Sequence, residues 1–131
     1  MKKLLIVDDD LDILTLFGEF FEGMGYEVHT AEDGLQGAEV LKQVSLDLVI
    51  TDLDMPNLNG CELISEISQD FPHIPIIVTS GLNLAINPKY REAMLFTQVK
   101  DLFPKPINMA KLYNSVEMYI NRGVEGKVAL L

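Results

Sequence analysis

The sequence alternates short apolar runs with longer segments in which apolar residues recur every three or four positions. Apolar runs with little polar alternation are typical of parallel strands that are buried on both faces. Five such predicted strands lie in "KLLIVDD", "YEVHTA", "LDLVITD", "IPIIVTSG" and "VKDLF". The longer segments between and after them have the spacing of amphipathic helices. The pattern predicts an α/β protein with five β-α units in series and helices on both faces of a parallel sheet.

The predicted helices follow the strands with short connections. They lie in "DLDILTLFGEFFEGMG", "DGLQGAEVLKQV", "CELISEISQ", "NPKYREAMLFTQ" and "NMAKLYNSVEMYINR". Asp9 or Asp10 can cap the first helix, and Gly25 can end it in a left-handed turn. Its apolar residues are spaced to form one broad core-facing face, made of Ile13, Leu14, Leu16, Phe17, Phe20, Phe21 and Met24. No internal repeat or linker precedes Gly123. We therefore predict one domain over residues 1–122, with residues 123–131 as a tail or the start of a linker.

The composition narrows the class of protein. The chain has 131 residues, with 10 Lys+Arg against 20 Asp+Glu and a net charge of −10. That balance argues against direct nucleic-acid binding, which requires clustered positive charge. No apolar run approaches the roughly 20 residues of a membrane helix, and the apolar part of "MKKLLIVDDD" is too short for a signal peptide. The chain is therefore predicted to have no membrane partner. Cys61 is the single cysteine, which favours a cytoplasmic location.

Polar side chains collect where the predicted strands end. Asp8 and Asp9 end the first strand, Asp52 ends the third, Ser80 ends the fourth, and Lys105 follows the fifth. In an open parallel sheet the carboxyl ends of the strands meet at one edge, where ligands bind. Neighbouring carboxylates repel and raise each other's pKa, and a hard cation such as Mg²⁺ relieves that repulsion. The spacing therefore predicts a cation site at this edge.

The same group of residues suits phosphoryl chemistry. A carboxylate held beside Mg²⁺ and an ammonium can attack a phosphoryl group, and aspartyl-phosphates are a known use of this nucleophile. The metal and Lys105 would neutralise charge on the phosphoryl oxygens. The hydroxyl of Ser80 can donate a further hydrogen bond. Asp52 is the candidate acceptor.

The motifs that contain these residues resemble a known family. "LLIVDDD", "DLVITDLDMPNLNG", "IPIIVTSG" and "PKPI" span residues 3 to about 121 and resemble a response-regulator receiver domain of the two-component, chemotaxis-regulator type. The resemblance implies a flavodoxin-like, doubly wound sheet with strand order 2-1-3-4-5. It also implies a signalling module rather than an enzyme, with only slow self-phosphorylation and slow hydrolysis of the aspartyl-phosphate.

The resemblance also assigns roles around the cation, which would be Mg²⁺ or Mn²⁺. Asp52 would be the phosphoacceptor and a metal ligand. Asp9 would bind the metal directly and Asp8 largely through water. Asp54 would contribute its main-chain carbonyl, with its side chain beside the phosphoryl site.

Further roles come from the last two strands. Lys105 would pair with Asp52 or its phosphate, and the Lys105–Pro106 bond would be cis. The family's switch hydroxyl usually stands five residues after the proline that opens strand four. Counting five residues from Pro75 gives Ser80 as the switch hydroxyl, with Thr79 as the alternative.

Three departures from the family pattern concern the region after Ser80. One is "LFTQVKD" before strand five, where the family usually has Gly-Ala. The switch aromatic usually lies three residues before the lysine, where this chain has Leu102, and Phe103 is one place away. The interval from Ser80 to Lys105 is a few residues longer than usual, which predicts a longer loop in "GLNLAINPKY".

The leading hypothesis is a receiver that takes its phosphoryl group from a histidine kinase or a histidine phosphotransfer protein. Phosphorylation would shift strand five and the loop between the fourth predicted strand and the fourth predicted helix. The shift would change a distant surface, read by an output protein that the sequence does not identify. Two alternatives remain open. Asp52-Leu53-Asp54 is similar to the motif of haloacid-dehalogenase-like phosphohydrolases, and a degenerate receiver could act as an interaction domain without phosphorylation. A flavin carrier of the same fold is less consistent, because no hydroxyl- and glycine-rich loop follows strand one.

Overall fold

The computed structural model describes residues 1–81 and 88–122, in which five strands and five helices alternate along the chain. They are β1 (Lys3–Val7), α1 (Leu11–Gly23), β2 (Glu27–Ala31), α2 (Gly34–Gln43), β3 (Leu48–Asp52), α3 (Gly60–Asp70), β4 (Ile76–Ser80), α4 (Pro88–Met94), β5 (Val99–Pro104) and α5 (Met109–Arg122). All ten predicted elements are therefore confirmed. Residues 82–87 of the predicted longer loop and the predicted tail at 123–131 lie outside the described residues.

The sheet is parallel and has the order β2-β1-β3-β4-β5, which confirms the doubly wound α/β fold. Its register aligns the carboxyl ends of the strands. Val7 of β1 pairs with Thr51 of β3, and the next residue of β3, Asp52, pairs with Thr79 of β4. The residues that follow these strands consequently emerge at one edge of the sheet.

The core forms two layers, one on each face of the sheet. Successive strand side chains point to opposite faces, so Leu5 and Val7 enter one layer while Leu4 and Ile6 enter the other. All five residues of β3 and all five of β4 are buried. Burial on both faces explains why these strands read as continuous apolar runs.

Helix α1 begins and ends as its sequence indicates. The Asp10 carboxylate accepts hydrogen bonds from two first-turn amides, and Gly25 follows the helix with φ 95°. Phe21 is fully buried against the sheet, whereas Leu16 is 57% exposed and Met24 is 49% exposed. The apolar face of α1 that packs on the core is thus narrower than its spacing predicts.

Helix α4 is shorter than the segment that predicts it, because the chain turns after Met94. Gln98 explains the turn. Its side chain is buried, and Nε2 donates to the carbonyl oxygens of Phe71 (3.0 Å) and Ile74 (2.8 Å), which lie between α3 and β4. Satisfying these buried carbonyls requires Gln98 to face inward, and the backbone enters β5 directly afterwards.

Among the described residues, no helix combines the length and the apolar character that crossing a bilayer requires.

Candidate functional site

The carboxyl edge of the sheet brings three aspartates together. Carboxylate oxygens of Asp8, Asp9 and Asp52 all lie within 4.8 Å of one another. Asp8 and Asp52 are almost completely buried, at 1% and 4% exposure, while Asp9 is exposed. Asp8 follows β1 and Asp52 ends β3, and both strands are central in the sheet. The positions of these two aspartates are therefore set by the rigid part of the sheet.

Lys105 reaches this cluster from the segment after β5. Its Nζ lies 2.9 Å from Asp8 Oδ2 and 3.1 Å from Asp52 Oδ2. The amide of Lys105 donates to the carbonyl of Ser80 (2.8 Å), which fixes the start of this segment to the end of β4. The Lys105–Pro106 peptide bond is cis, as the resemblance implies. One ammonium therefore serves two buried carboxylates.

The charges perturb one another. Burial raises the pKa of Asp52, and Asp8 adds to that rise, while the charge and hydrogen bond of Lys105 act in the opposite direction without cancelling it. Burial acts to lower the pKa of Lys105, but its hydrogen bonds to Asp8 and Asp52 and their charges raise it overall. The lysine therefore stays charged, and Asp52 is less easily ionised than an exposed aspartate.

Both oxygens of the Asp52 carboxylate have fixed donors. Oδ2 faces Lys105, while Oδ1 accepts from the backbone amides of Leu53 (2.7 Å) and, at longer range, Asp54 (3.4 Å). The start of α3 packs directly behind this residue. A Cβ on Gly60 would lie 2.1 Å from the Asp52 carbonyl oxygen, so glycine is required for this approach.

Asp54 lies at the outer rim of the site. Its side chain is 61% exposed, and Oδ1 pairs with Lys89 Nζ of α4 at 3.1 Å. The side chain thus contacts α4, and the predicted role of its main-chain carbonyl at the metal stays a prediction.

The two candidates for the switch hydroxyl, Thr79 and Ser80, occupy successive positions of β4. Thr79 and Ser80 are both buried, and Thr79 is in register with Asp52 whereas Ser80 pairs with Pro104. Leu102 packs against the core layer that contains α3, and Phe103 packs against the layer that contains α5. The choice of Ser80 as the switch hydroxyl stays a prediction.

The donor set fits a small divalent cation. Mg²⁺ binds oxygen ligands at about 2.0–2.1 Å, so oxygens on opposite sides of the ion are roughly 4.2 Å apart. The aspartate oxygens lie within a comparable span. They are hard, negatively charged ligands, and the exposed Asp9 leaves one side open to water. The acidic pocket is therefore compatible with magnesium.

Sequence reasoning missed a second set of contacts next to the site. Asn57 of the β3-α3 loop donates from Nδ2 to Asp33 Oδ2 (2.7 Å), and Lys89 pairs with Asp54. Asp33 before "GLQG" carries the signal of a helix cap, and Asn57 in "MPNLNG" suits a turn. Neither signal indicates that these two residues contact each other.

An acidic cluster and a lysine at the carboxyl edge of a doubly wound sheet define a class of signalling module in which an aspartate receives a phosphoryl group. Comparison with known proteins agrees. The family model for the response regulator receiver domain matches residues 4–117, and the chain belongs to that family. The suspected resemblance is thereby confirmed.

Individual relatives and structures support the same conclusion. The chain is 36% identical over 116 residues to the transcriptional regulatory protein GlrR of Escherichia coli (strain K12), covering 87% of this chain and 25% of GlrR. It thus spans about a quarter of that relative's length. A response regulator receiver domain protein from Clostridium thermocellum is similar at 30% identity and a TM-score of 0.83, with full coverage of both chains. Response regulator protein TrrA from Thermotoga maritima, solved with Mg(2+)-BeF, is 29% identical, with a TM-score of 0.78 and coverage of 90% of this chain and 98% of TrrA.

The chain is therefore a receiver domain of two-component response regulators, a signalling module. Receiver domains take phosphoryl groups from histidine kinases or phosphotransfer proteins. The phosphohydrolase and the non-phosphorylated receiver are not favoured by these comparisons.

Proposed function

We propose that Asp52 accepts the phosphoryl group, supplied by a histidine kinase or a histidine phosphotransfer protein. The observation that carries the proposal is the contact between Asp52 Oδ2 and Lys105 Nζ, with Asp8 and Asp9 within reach of the same point. Asp8 is also buried, contacts Lys105 and belongs to the acidic cluster. The choice of Asp52 over Asp8 follows the resemblance of "DLVITDLDMPNLNG" to the phosphoacceptor motif of the family.

In the proposed reaction an oxygen of Asp52 attacks phosphorus, and a P–O bond forms as the P–N bond to the donor histidine breaks. The electron pair of that bond returns to the imidazole, which takes up a proton. Lys105 stabilises the negative charge on the phosphoryl oxygens, and the hydroxyl of Ser80 donates to one of them. The amides of Leu53 and Asp54 hold the other oxygen of Asp52 in place.

Asp8, Asp9, Asp52 and the main-chain carbonyl of Asp54 would hold Mg²⁺, or Mn²⁺ in its place. Asp9 would bind directly and Asp8 mainly through water. When bound, the cation supplies positive charge that offsets the carboxylates and the incoming phosphoryl group. The structure of TrrA in complex with Mg(2+)-BeF supports magnesium as the natural ion.

Phosphorylation would act on a distant surface. The phosphoryl group itself carries about −2 of charge and strong acceptor oxygens, which would draw Ser80 and Lys105 toward Asp52. Both residues are joined to the ends of β4 and β5, so the change would pass to the surface of β4-α4, β5 and α5. An output protein would read that surface. Slow self-phosphorylation and slow hydrolysis of the aspartyl-phosphate would be the domain's own chemical activities.

The proposed receiver unit covers residues 1–122, and residues 123–131 would be a tail or the start of a linker. Its proposed location is the cytoplasm. The charge of −10 supports a function without direct nucleic-acid contact by this domain.

The proposal is tested by incubation with acetyl phosphate and Mg²⁺ followed by intact-mass measurement. Wild type should gain the mass of one phosphoryl group, and Asp52→Asn should not. Asp12→Asn removes an exposed aspartate of α1 and should label as wild type does. Equal labelling of wild type and Asp52→Asn would exclude Asp52 as the acceptor.

A further inference from the structure

The β3-α3 loop is attached to the start of α2 at two consecutive positions. Asn57 Nδ2 donates to Asp33 Oδ2 at 2.7 Å. The amide of Gly34 donates to the carbonyl of Leu58 at 3.0 Å. The loop that follows Asp52 is therefore held by an element from a different β-α unit.

Asp33 uses its two oxygens for two different partners. Oδ1 accepts from the amide of Gln36 (2.9 Å) and caps α2, while Oδ2 receives Asn57. The side chain is largely buried at 9% exposure. The hydrogen bond from Gln36, followed by that from Asn57, lowers the pKa of this carboxyl, so it is ionised at neutral pH. A charged acceptor forms a stronger hydrogen bond to the loop than a neutral one would.

The loop also has a constrained backbone at this point. Asn57 has φ 62°, in the left-handed region that glycine favours and asparagine tolerates. At Gly34 a Cβ would lie 2.1 Å from the Leu58 carbonyl oxygen, so α2 and the loop are in close backbone contact. Both features indicate that the path of the loop is set by its contact with α2.

The position of this loop bears directly on the cation site. Asp54 lies three residues before Asn57 and two after Asp52, and its carbonyl is the proposed main-chain ligand. Within the part of the chain that the structure describes, the exposed side chain of Asp54 pairs with the partly exposed Lys89, which gives weak positional control. The hydrogen bond between Asp33 and Asn57 is the better-buried restraint on the same loop.

We propose that Asp33 and Asn57 are positioning residues for the cation site, because their hydrogen bond holds the β3-α3 loop where the Asp54 carbonyl can reach the metal. This inference rests on the proposed function. It assigns Asp33 a role beyond capping α2, and it predicts that the strength of magnesium binding depends on a contact outside the ligand set.

The test is a calorimetric titration of the full chain with MgCl₂ in the absence of any phosphodonor. Asp33→Ser keeps a capping oxygen but cannot supply the second acceptor, and Asn57→Gly keeps the left-handed backbone but loses the amide. Each variant should bind Mg²⁺ roughly three- to tenfold more weakly than wild type. Thermal unfolding in EDTA identifies any variant that has lost its fold, and the remaining variant then carries the test.

A reversed pair provides the rescue. In the double variant Asp33→Asn, Asn57→Asp the amide and carboxylate exchange places, so the hydrogen bond, the helix cap and the net charge are all retained. Its Mg²⁺ affinity should return to within about twofold of wild type. Glu39→Gln, which removes an exposed charge from the same helix, is the matched control and should leave the affinity unchanged.

The outcomes separate this inference from the proposed function. Wild-type affinity in both single variants would overturn the inference and leave the proposed function standing, as would a double variant that binds as weakly as the single ones. A wild-type chain that shows no magnesium binding would instead contradict the proposed function, and the inference would fall with it.

Discussion

At the scale of single residues, the site consists of two buried carboxylates that share one ammonium. Asp8 and Asp52 are 1% and 4% exposed, and Lys105 contacts both. Burying a charge costs free energy unless a partner compensates it. One positive charge offsets two negative ones incompletely, and the pKa of Asp52 is raised by its burial and, further, by the charge of Asp8. A cation or a change in protonation therefore has a large effect here.

Replacement of the lysine should expose this imbalance. In Lys105→Met both buried carboxylates lose their ammonium, and we expect a loss of about 3 kcal/mol in the free energy of unfolding at pH 7, measured with urea in EDTA. The loss should shrink as the pH falls, because protonated carboxyls need no partner. Lys42→Met removes an exposed lysine whose pair with Glu39 is solvated, and should change stability by less than about 0.5 kcal/mol. Equal effects of the two substitutions would contradict this account.

Replacement of Asp52 should change the free energy of unfolding in the opposite direction to replacement of Lys105. Its pKa is raised in the folded chain, so its contribution to stability is complete below the unfolded pKa of about 3.9 and is lost as the pH rises through the folded pKa. At pH 7 the raised pKa of Asp52 therefore opposes folding. Asp52→Asn removes the carboxylate charge while Lys105 keeps Asp8, and should raise the free energy of unfolding by about 1 kcal/mol at pH 7. The gain should disappear near pH 4, which unfolding curves across this range will check; a gain that grows toward acid pH would be inconsistent with a raised pKa.

The residues that meet in the site could be predicted in part. Asp8 and Asp9 follow β1 and Asp52 ends β3, and the register of a parallel sheet brings strand ends together whatever their separation in sequence. The contacts of Asn57 with Asp33 and of Lys89 with Asp54 could not be predicted. They depend on side-chain directions in loops and at helix starts, where no periodic pattern reports the path of the backbone.

At the scale of elements, the site depends on how closely α3 approaches the end of β3. The amide of Gly60 donates to the Leu53 carbonyl at 3.1 Å, and Asn59 caps the helix with Glu62 in a reciprocal pair of hydrogen bonds. The helix thus begins against the residue that ends the strand. Sequence periodicity predicts α3 but not how closely it approaches β3. In the same way, it predicts α4 but not the inward turn at Gln98.

A pair of glycine substitutions tests this approach. In Gly60→Ala the new Cβ would lie 2.1 Å from the Asp52 carbonyl oxygen and 2.6 Å from Leu53 Cα, so α3 must move, at a cost of about 2–3 kcal/mol. Gly23→Ala, in the last turn of α1, meets nothing within 4 Å and should stabilise the fold by about 0.5 kcal/mol. Urea unfolding of both variants measures the difference. A Gly60→Ala protein as stable as Gly23→Ala would show that α3 can shift without cost.

At the scale of the whole molecule, both faces of the sheet are covered by core layers, and the acidic site lies at the carboxyl edge of the sheet. The core strands can be predicted because burial on both faces leaves continuous apolar runs. The exposure of Leu16 and Met24 could not be predicted, because the width of a helix's buried face depends on how the helix packs on the sheet. The rigid core holds the aspartates in place, so repulsion among them is not relieved by local movement.

A ligand that binds only the folded chain should stabilise the whole molecule by mass action. Mg²⁺ at a hundredfold excess over its Kd should add about 2.7 kcal/mol to the free energy of unfolding and raise the Tm accordingly. Asp9 is exposed, so Asp9→Asn should leave the Tm in EDTA nearly unchanged while greatly reducing the rise on adding Mg²⁺. Asp12→Asn, which changes an exposed aspartate in the first turn of α1, should keep the full rise. Differential scanning calorimetry with and without Mg²⁺ makes the comparison, and a full rise in Asp9→Asn would remove Asp9 from the ligand set.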